Sequence, residues 1–334
     1  MPSQQFGGPP ITILPANRQI RHGRSSMMVY FVRFLPLSIA IALSPPSFGD
    51  CESLSQTIQE AARAGDLATI AEQGTRIATE PTCPDAYRPK LARIAAYAYL
   101  RTANTRLEAG ASLSQQEDLL NQSLGFARTW QALAMLGDIE HAQKAYEQSS
   151  LYYQQALSLI NDPVATEAEP PAAVIAKLHQ KASEARMLAD RYVATPVNHR
   201  SGAAEGLALT SVRSFSVKRV PLPVTFESGS DHFTPKGSDA AEELATLLLE
   251  RAPASISIIG HTDERGPATH NQQLSQRRAE ALADFLRSRG YRGQIHTKGE
   301  GESQPAILSD PSLYSQEEIW QLNRRVELIW PENS

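Results

Sequence analysis

Asp263 and Arg278 are the residues whose types and spacing invite a chemical reading. Asp263 lies in Gly260-His261-Thr262-Asp263-Glu264-Arg265-Gly266-Pro267, just after Ile256, Ile258 and Ile259, which read as a short buried strand. Arg278 lies in the next segment, where Asn271 can cap a helix that runs to about Arg289 and stops at Gly290. On a helical wheel Leu274, Ala281, Leu282, Phe285 and Leu286 share one apolar arc, and Arg278 falls inside it. Arg277, Glu280, Asp284 and Arg287 fall outside, as solvated charges should. A guanidinium on a core-facing arc is costly unless it meets a partner or reaches an opening. Two arrangements satisfy it. One is a permanent buried ion pair with Asp263 that fixes the loop and adds little net stability. The other keeps the charges apart, each addressing one end of a zwitterionic ligand. Thr262 and Asn271 stand beside them, although turn formation and capping explain both equally well.

The same loop holds the residue types of enzyme chemistry. His261, Asp263 and Ser275 match a hydrolytic triad in type, and His261, Asp263 and His270 match a metal set. No oxyanion-hole motif accompanies Ser275, and no third ligand follows at a regular spacing. No catalytic residue, cofactor or metal is therefore expected.

The run GHTDERGPATHNQQLSQRRAEALADFLRSRG resembles the OmpA-like C-terminal domain, and is particularly similar to the version in peptidoglycan-associated lipoproteins. The resemblance takes in Phe226 and Phe233-Thr234-Pro235-Lys236-Gly237 upstream. Downstream it takes in Gly299-Glu300-Gly301-Glu302 with Pro305, then Asn323-Arg324-Arg325-Val326-Glu327. It runs from about Val212 to the C-terminus. It implies that Asp263 and Arg278 hold the ammonium and carboxylate of diaminopimelate in the peptidoglycan stem peptide, and that Arg324 or Arg325 borders the pocket. The implied role is non-covalent wall binding in a diderm bacterium. A wall anchor for an inner-membrane stator or secretion machine, and a protein scaffold without wall binding, are the alternatives.

The elements that must position these residues follow from pattern. Val220, Leu222, Val224 and Phe226 alternate with Pro221, Pro223 and Thr225, a strand whose prolines confine it to a sheet edge. Thr234 and Pro235 start a helix that buries Leu244, Leu247 and Leu248 and ends before Pro253. A third strand runs from Gln294 to Gly299. A long loop from Glu300 to about Glu318 leads to a last strand, where Val326, Leu328 and Trp330 alternate with Arg325, Glu327 and Ile329. The order βαβαββ predicts an α+β sandwich with two helices on one face of a mixed sheet.

From about Glu52 to Val193 the chain reads as helices, broken at Gly65-Asp66, Pro81 to Pro89, Gly110 to Ser114, Gly125, Gly137-Asp138 and Asp162 to Pro171. Ala64-Gly65-Asp66-Leu67 and Leu136-Gly137-Asp138-Ile139 recur, each predicting a turn before a new helix. Large and small residues from Trp130 to Leu157 loosely resemble tetratricopeptide repeats without holding their period. The reading is a solenoid-like α-helical domain, either a module that meets another envelope protein or a spacer.

The expected division is 1–49 leader, 50–194 helical domain, 195–211 linker and 212–334 wall-binding domain. Within the leader, Met27 or Met28 makes the better start, Arg33 supplies a positive charge, and Phe34 to Leu43 form an apolar run of signal-peptide length. Ser47-Phe48-Gly49 permits cleavage before Asp50, with an uncleaved inner-membrane anchor as the alternative. Phe48-Gly49-Asp50 does not resemble a lipobox, so Cys51 is not expected to carry lipid. Cys51 and Cys83 are the two cysteines, and in an exported chain they are expected to form a disulfide. The formal charge is −4, and the leader holds arginines but no acids, so its removal makes the chain more acidic. No basic stripe remains, which excludes nucleic acid as a partner. The expected location is the periplasm, at the cell wall and within reach of the outer membrane.

Overall fold

The computed structural model describes residues 49–194, 211–212, 215–216 and 218–330. The expected leader up to residue 48 and most of the linker lie outside these, and the expected cleavage point, between Gly49 and Asp50, falls at the first described residues. The described residues fall into two compact units: one runs to Leu136 and includes Asp162–Pro171, and the other takes Gly137–Asn161 and everything from Ala172 onward.

The first unit holds α1 (Gly49–Ala64), α2 (Leu67–Thr79), α3 (Arg88–Glu108) and α4 (Glu117–Phe126) around Leu54, Ile58, Ile70, Leu91, Tyr99 and Leu120. Gly65, at φ 73°, makes the first predicted turn, and Asp66 caps α2 by accepting from the Thr69 amide at 3.1 Å. Cys51 on α1 and Cys83, in the turn before α3, form a disulfide. The second predicted turn is absent. Leu136-Gly137-Asp138-Ile139 lies inside α5 (Trp130–Ala142), where Gly137 lets α6 (Tyr146–Asn161) pack close; a Cβ there would meet the Tyr153 ring at 2.6 Å. The chain turns later, at Lys144 with φ 61°.

The second unit continues with α7 (Ala172–Leu188), β1 (Ser211–Val212), β2 (Phe215–Ser216), β3 (Arg219–Leu222), α8 (Pro235–Arg251), β4 (Ser255–Gly260), α9 (Ala268–Ser288), β5 (Gln294–Gly299), α10 (Gln316–Asn323) and β6 (Val326–Ile329). β1 and β2 form a small antiparallel pair. The main sheet has the order β3-β6-β4-β5, with β4 and β5 parallel and the other pairs antiparallel. β3 occupies an edge, where its proline costs no ladder bond. Its core is Val220, Leu222, Leu244, Leu248, Ile256, Ile258, Leu282, Leu286, Val326 and Leu328. The fold is α+β, with a third helix, α10, that begins at the end of the expected long loop and fills the stretch between it and the last strand. Composition grouped α6 and α7 with the preceding helices, whereas contacts group them with the sheet. Lys236, in the first turn of α8, donates to the carbonyls of Met187 (2.8 Å) and Ala189 (2.5 Å), and Arg186 pairs with Glu243 at 3.3 Å.

α9 starts at Ala268 with Pro267 at its cap, so Asn271 lies within its first turn rather than capping it. The helix reaches the sheet through two glycines paired in register, Gly260 on β4 and Gly299 on β5. A Cβ on Gly260 would stand 2.1 Å from the Ser275 carbonyl oxygen, and one on Gly299 2.5 Å from the Gln276 nitrogen. Gly260→Ala is expected to lower unfolding stability by about 1–3 kcal/mol, the usual cost of overpacking. Urea denaturation followed by circular dichroism measures this.

Candidate functional site

β4 carries the chain into the 261–266 loop, whose backbone is fixed from two sides. The His261 amide donates to the Arg325 carbonyl and the Thr262 amide to the Gly301 carbonyl, each at 2.9 Å. This delivers Asp263 with its side chain only 7% exposed. Its carboxylate accepts from the Arg265 amide (3.0 Å), from Arg265 Nε (3.2 Å) and Nη2 (2.7 Å), and from Arg324 Nη1 (2.7 Å). Burial pushes its pKa upward, but these donors outweigh burial and hold it at about 2.

Arg278 is buried on α9, on a stripe with Asn271, Leu274, Ser275, Ala279, Leu282, Ala283 and Leu286; Ala281 and Phe285 sit at its margin. The turn around Gly229 receives it. Nε donates to the Ser230 carbonyl at 2.8 Å and Nη2 to the Glu227 carbonyl at 3.1 Å, with the guanidinium 5.2 Å from the Phe226 ring centre. No carboxylate among the described residues pairs with it, so it does not form an ion pair with Asp263. Burial first, then the charge of Arg324, pulls its pKa down to about 10.

The other sequence candidates divide. Asn271 Nδ2 donates to the Asp263 carbonyl (3.2 Å), the Arg265 carbonyl (3.3 Å) and Glu302 Oε2 (2.5 Å), tying helix to loop. Thr262 Oγ1 is buried and makes no hydrogen bond to the described residues. Arg324 joins Asp263 and also reaches Glu317 at 3.3 Å. Arg325 turns away, into a buried pair with Glu327 at 2.7 Å, and buried His261 lies 3.3 Å from the same carboxylate. Burial raises the Glu327 pKa, but His261 and Arg325 hold it down at about 2. Ser275 Oγ donates to the Gln272 carbonyl and accepts from the Gly301 amide, both at 2.9 Å. His270 is exposed. No group of three or more His, Cys, Asp or Glu able to hold a metal occurs among the described residues.

Three features were missed in the sequence. Arg265, half-exposed, covers Asp263 and stacks on Trp320 at 4.3 Å, while Trp320 Nε1 donates to Glu264 at 2.6 Å. α10 was signalled by Ser315 followed by Glu318, a capping box that the structure contains. The two carbonyls that hold Arg278 had Gly229, at φ 66°, as their signal.

Residues 225–313 match the OmpA family. Among curated relatives, the probable lipoprotein YiaD of Escherichia coli (strain K12) is 32% identical over 37% of this chain and 54% of that protein. The peptidoglycan-associated lipoprotein of Brucella melitensis is 42% identical over 28% of this chain and 54% of that protein. The chain thus spans about half the length of these relatives. Among solved structures, the peptidoglycan-associated lipoprotein from Burkholderia pseudomallei is 28% identical, covering 34% of this chain and 91% of that one, with a TM-score of 0.28. No helix among the described residues is long and apolar enough to cross a membrane.

The lowered pKa of Asp263 fixes a sign. The ion pairs stabilise the folded state fully above the ordinary value of 3.8 and are lost as pH falls through about 2. In Arg324→Ala the carboxyl midpoint is expected to rise toward 3.8. Carbon-13 NMR of the side chain across that range reads it, and an unmoved midpoint removes Arg324 as a partner.

Proposed function

We propose that this chain binds peptidoglycan non-covalently through the diaminopimelate of the stem peptide. Asp263 takes the ammonium and Arg278 the carboxylate. The observation that carries this is the buried guanidinium of Arg278, held by two carbonyls and a ring, with no carboxylate partner among the described residues. Such a group gives a ligand carboxylate a bidentate partner already fixed in place. Thr262 Oγ1 is one further polar atom with capacity to spare. Diaminopimelate offers ammonium and carboxylate on one stereocentre, whereas a lysine-type stem lacks that carboxylate and leaves Arg278 unpaired. The name of one relative reported above, the peptidoglycan-associated lipoprotein of Brucella melitensis, supports a place at the wall in the periplasm. The chemistry is binding, without a bond made or broken. The helical first unit we assign to an envelope protein partner.

Asp263 is not vacant. Arg265 covers it, so the ligand ammonium must displace that side chain, which is 49% exposed and can remain against Trp320. Arg265→Ala is expected to tighten binding of a diaminopimelate peptide by up to about fivefold, the scale of an exposed ion pair. Weaker binding in calorimetry would mean that Arg265 contacts the ligand instead.

The main test is sedimentation of the purified protein with peptidoglycan sacculi. Asp263→Ala and Arg278→Ala, each checked for folding by circular dichroism, should weaken binding to diaminopimelate sacculi by about tenfold or more, as expected for charge-assisted hydrogen bonds. Lysine-type sacculi should bind wild type no better than the variants do. Equal binding by all three proteins sinks the assignment.

A further inference from the structure

α10 is only eight residues long, too short to hold its place unaided. One flank belongs to the proposed wall site. Arg324, its C-cap, lies on Asp263, and Trp320 lies on Glu264 and Arg265. The other flank is gripped by residues far upstream. Glu318 accepts from Lys144 Nζ at 2.7 and 2.6 Å and from Tyr146 Oη at 2.5 Å, besides closing the Ser315 capping box. Burial works against the Glu318 charge, but Lys144, Tyr146 and Ser315 hold its pKa at about 2. Tyr314, just before the helix, donates to Glu184 Oε2 at 2.6 Å, and its oxygen lies 3.0 Å from His141 Nε2. The phenol has one proton, and Glu184 takes it, so the imidazole must donate to Tyr314. Glu184 also accepts from the Ser309 amide at 2.6 Å, and Gln321 Nε2 donates to the Met187 carbonyl at 3.1 Å. Lys144, Tyr146, His141 and Glu184 all precede the 225–313 match, yet they belong to the same compact unit as the site.

We infer that Lys144, Tyr314 and Glu318 are positioning residues for the wall site: by locking α10 against α6 and α7 they hold Arg324 on Asp263. The inference rests on the wall-binding reading for its function, but the positioning itself can be read without ligand. Glu318 and Arg324 stand six residues apart on one short helix, so loosening the first frees the second. The wall site then includes residues that the matched domain does not contain.

The test uses the whole chain with two mild variants. Lys144→Asn removes the cation and keeps a residue that tolerates positive φ. Tyr314→Phe removes only the hydroxyl. Both should raise the Asp263 carboxyl midpoint, read by NMR, from about 2 toward its value in Arg324→Ala. Both should weaken a diaminopimelate tripeptide in calorimetry by about fivefold, the lower end of typical site coupling, because Arg324, unlike the more exposed Arg265 that the ammonium displaces, stays on Asp263 and orients its carboxylate for the ligand. In an Arg324→Ala background neither should cost further affinity, because they act through that residue. A midpoint that stays at about 2 in both variants overturns the inference. So does an affinity loss that persists without Arg324, since general destabilisation would produce it. A midpoint that moves while even the wild type ignores the tripeptide supports the positioning and defeats the wall reading instead.

Discussion

The approach of α9 to the sheet at Gly260 and Gly299 is the constraint on which the site depends. Backbone lies on backbone there, at distances that no side chain would permit. Three residues beyond Gly260 comes Asp263, and three residues beyond Ser275 comes Arg278. Fixing that one contact therefore fixes both charges relative to each other, with little left for the loop to decide. Asn271 and Ser275 Oγ then fasten the loop and the 299–302 segment to the same helix face. The polar residues of the first two turns, which sequence offers as ligand or triad candidates, are largely spent on this fastening.

The two charges are held by opposite means. Asp263 has more cationic donors than it needs, from Arg265 and Arg324, and is kept ionised despite burial. Arg278 has only neutral acceptors and a ring. A buried ion pair between them would have left Arg278, like Asp263, already paired, with nothing to offer the proposed ligand. Separation leaves the Arg278 guanidinium without a carboxylate partner among the described residues, free for the carboxylate of the proposed ligand.

Much of this was legible in the sequence. The strand ending at Gly260, the helix with an arginine on its inner stripe, the proline-marked edge strand and the cysteine pair all follow from local pattern. What was not legible depended on what surrounds a residue. Gly65 and Gly137 sit in similar tetrapeptides that share Gly-Asp, yet one makes a turn and the other clears room for Tyr153 on another helix. Arg325 and Glu327 occupy the polar phase of the expected last strand and still become buried, paired with each other, with Arg325 also donating to the Gln304 carbonyl. Arg324 and Arg325 are adjacent and identical in type, and only the first, at the C-cap of α10, reaches Asp263. The grouping of α6 and α7 with the sheet could not be read from composition, since their helical pattern suits either neighbour.

The order of the strands also bears on how the molecule comes into being. β6 is the last described strand in sequence, yet it lies between β3 and β4, pairing Arg219 with Ile329 and Gly260 with Val326. Until β6 arrives, the first strand of the sheet has no neighbour, and Arg324 is absent from Asp263. These pairings span long stretches of chain and carry the loop-closure cost that slows folding. The disulfide, by contrast, joins cysteines 32 residues apart in the first unit and needs nothing downstream. During synthesis, then, the covalent staple can close early, while the contact between Arg324 and Asp263 forms only once the chain leading into β6 has arrived.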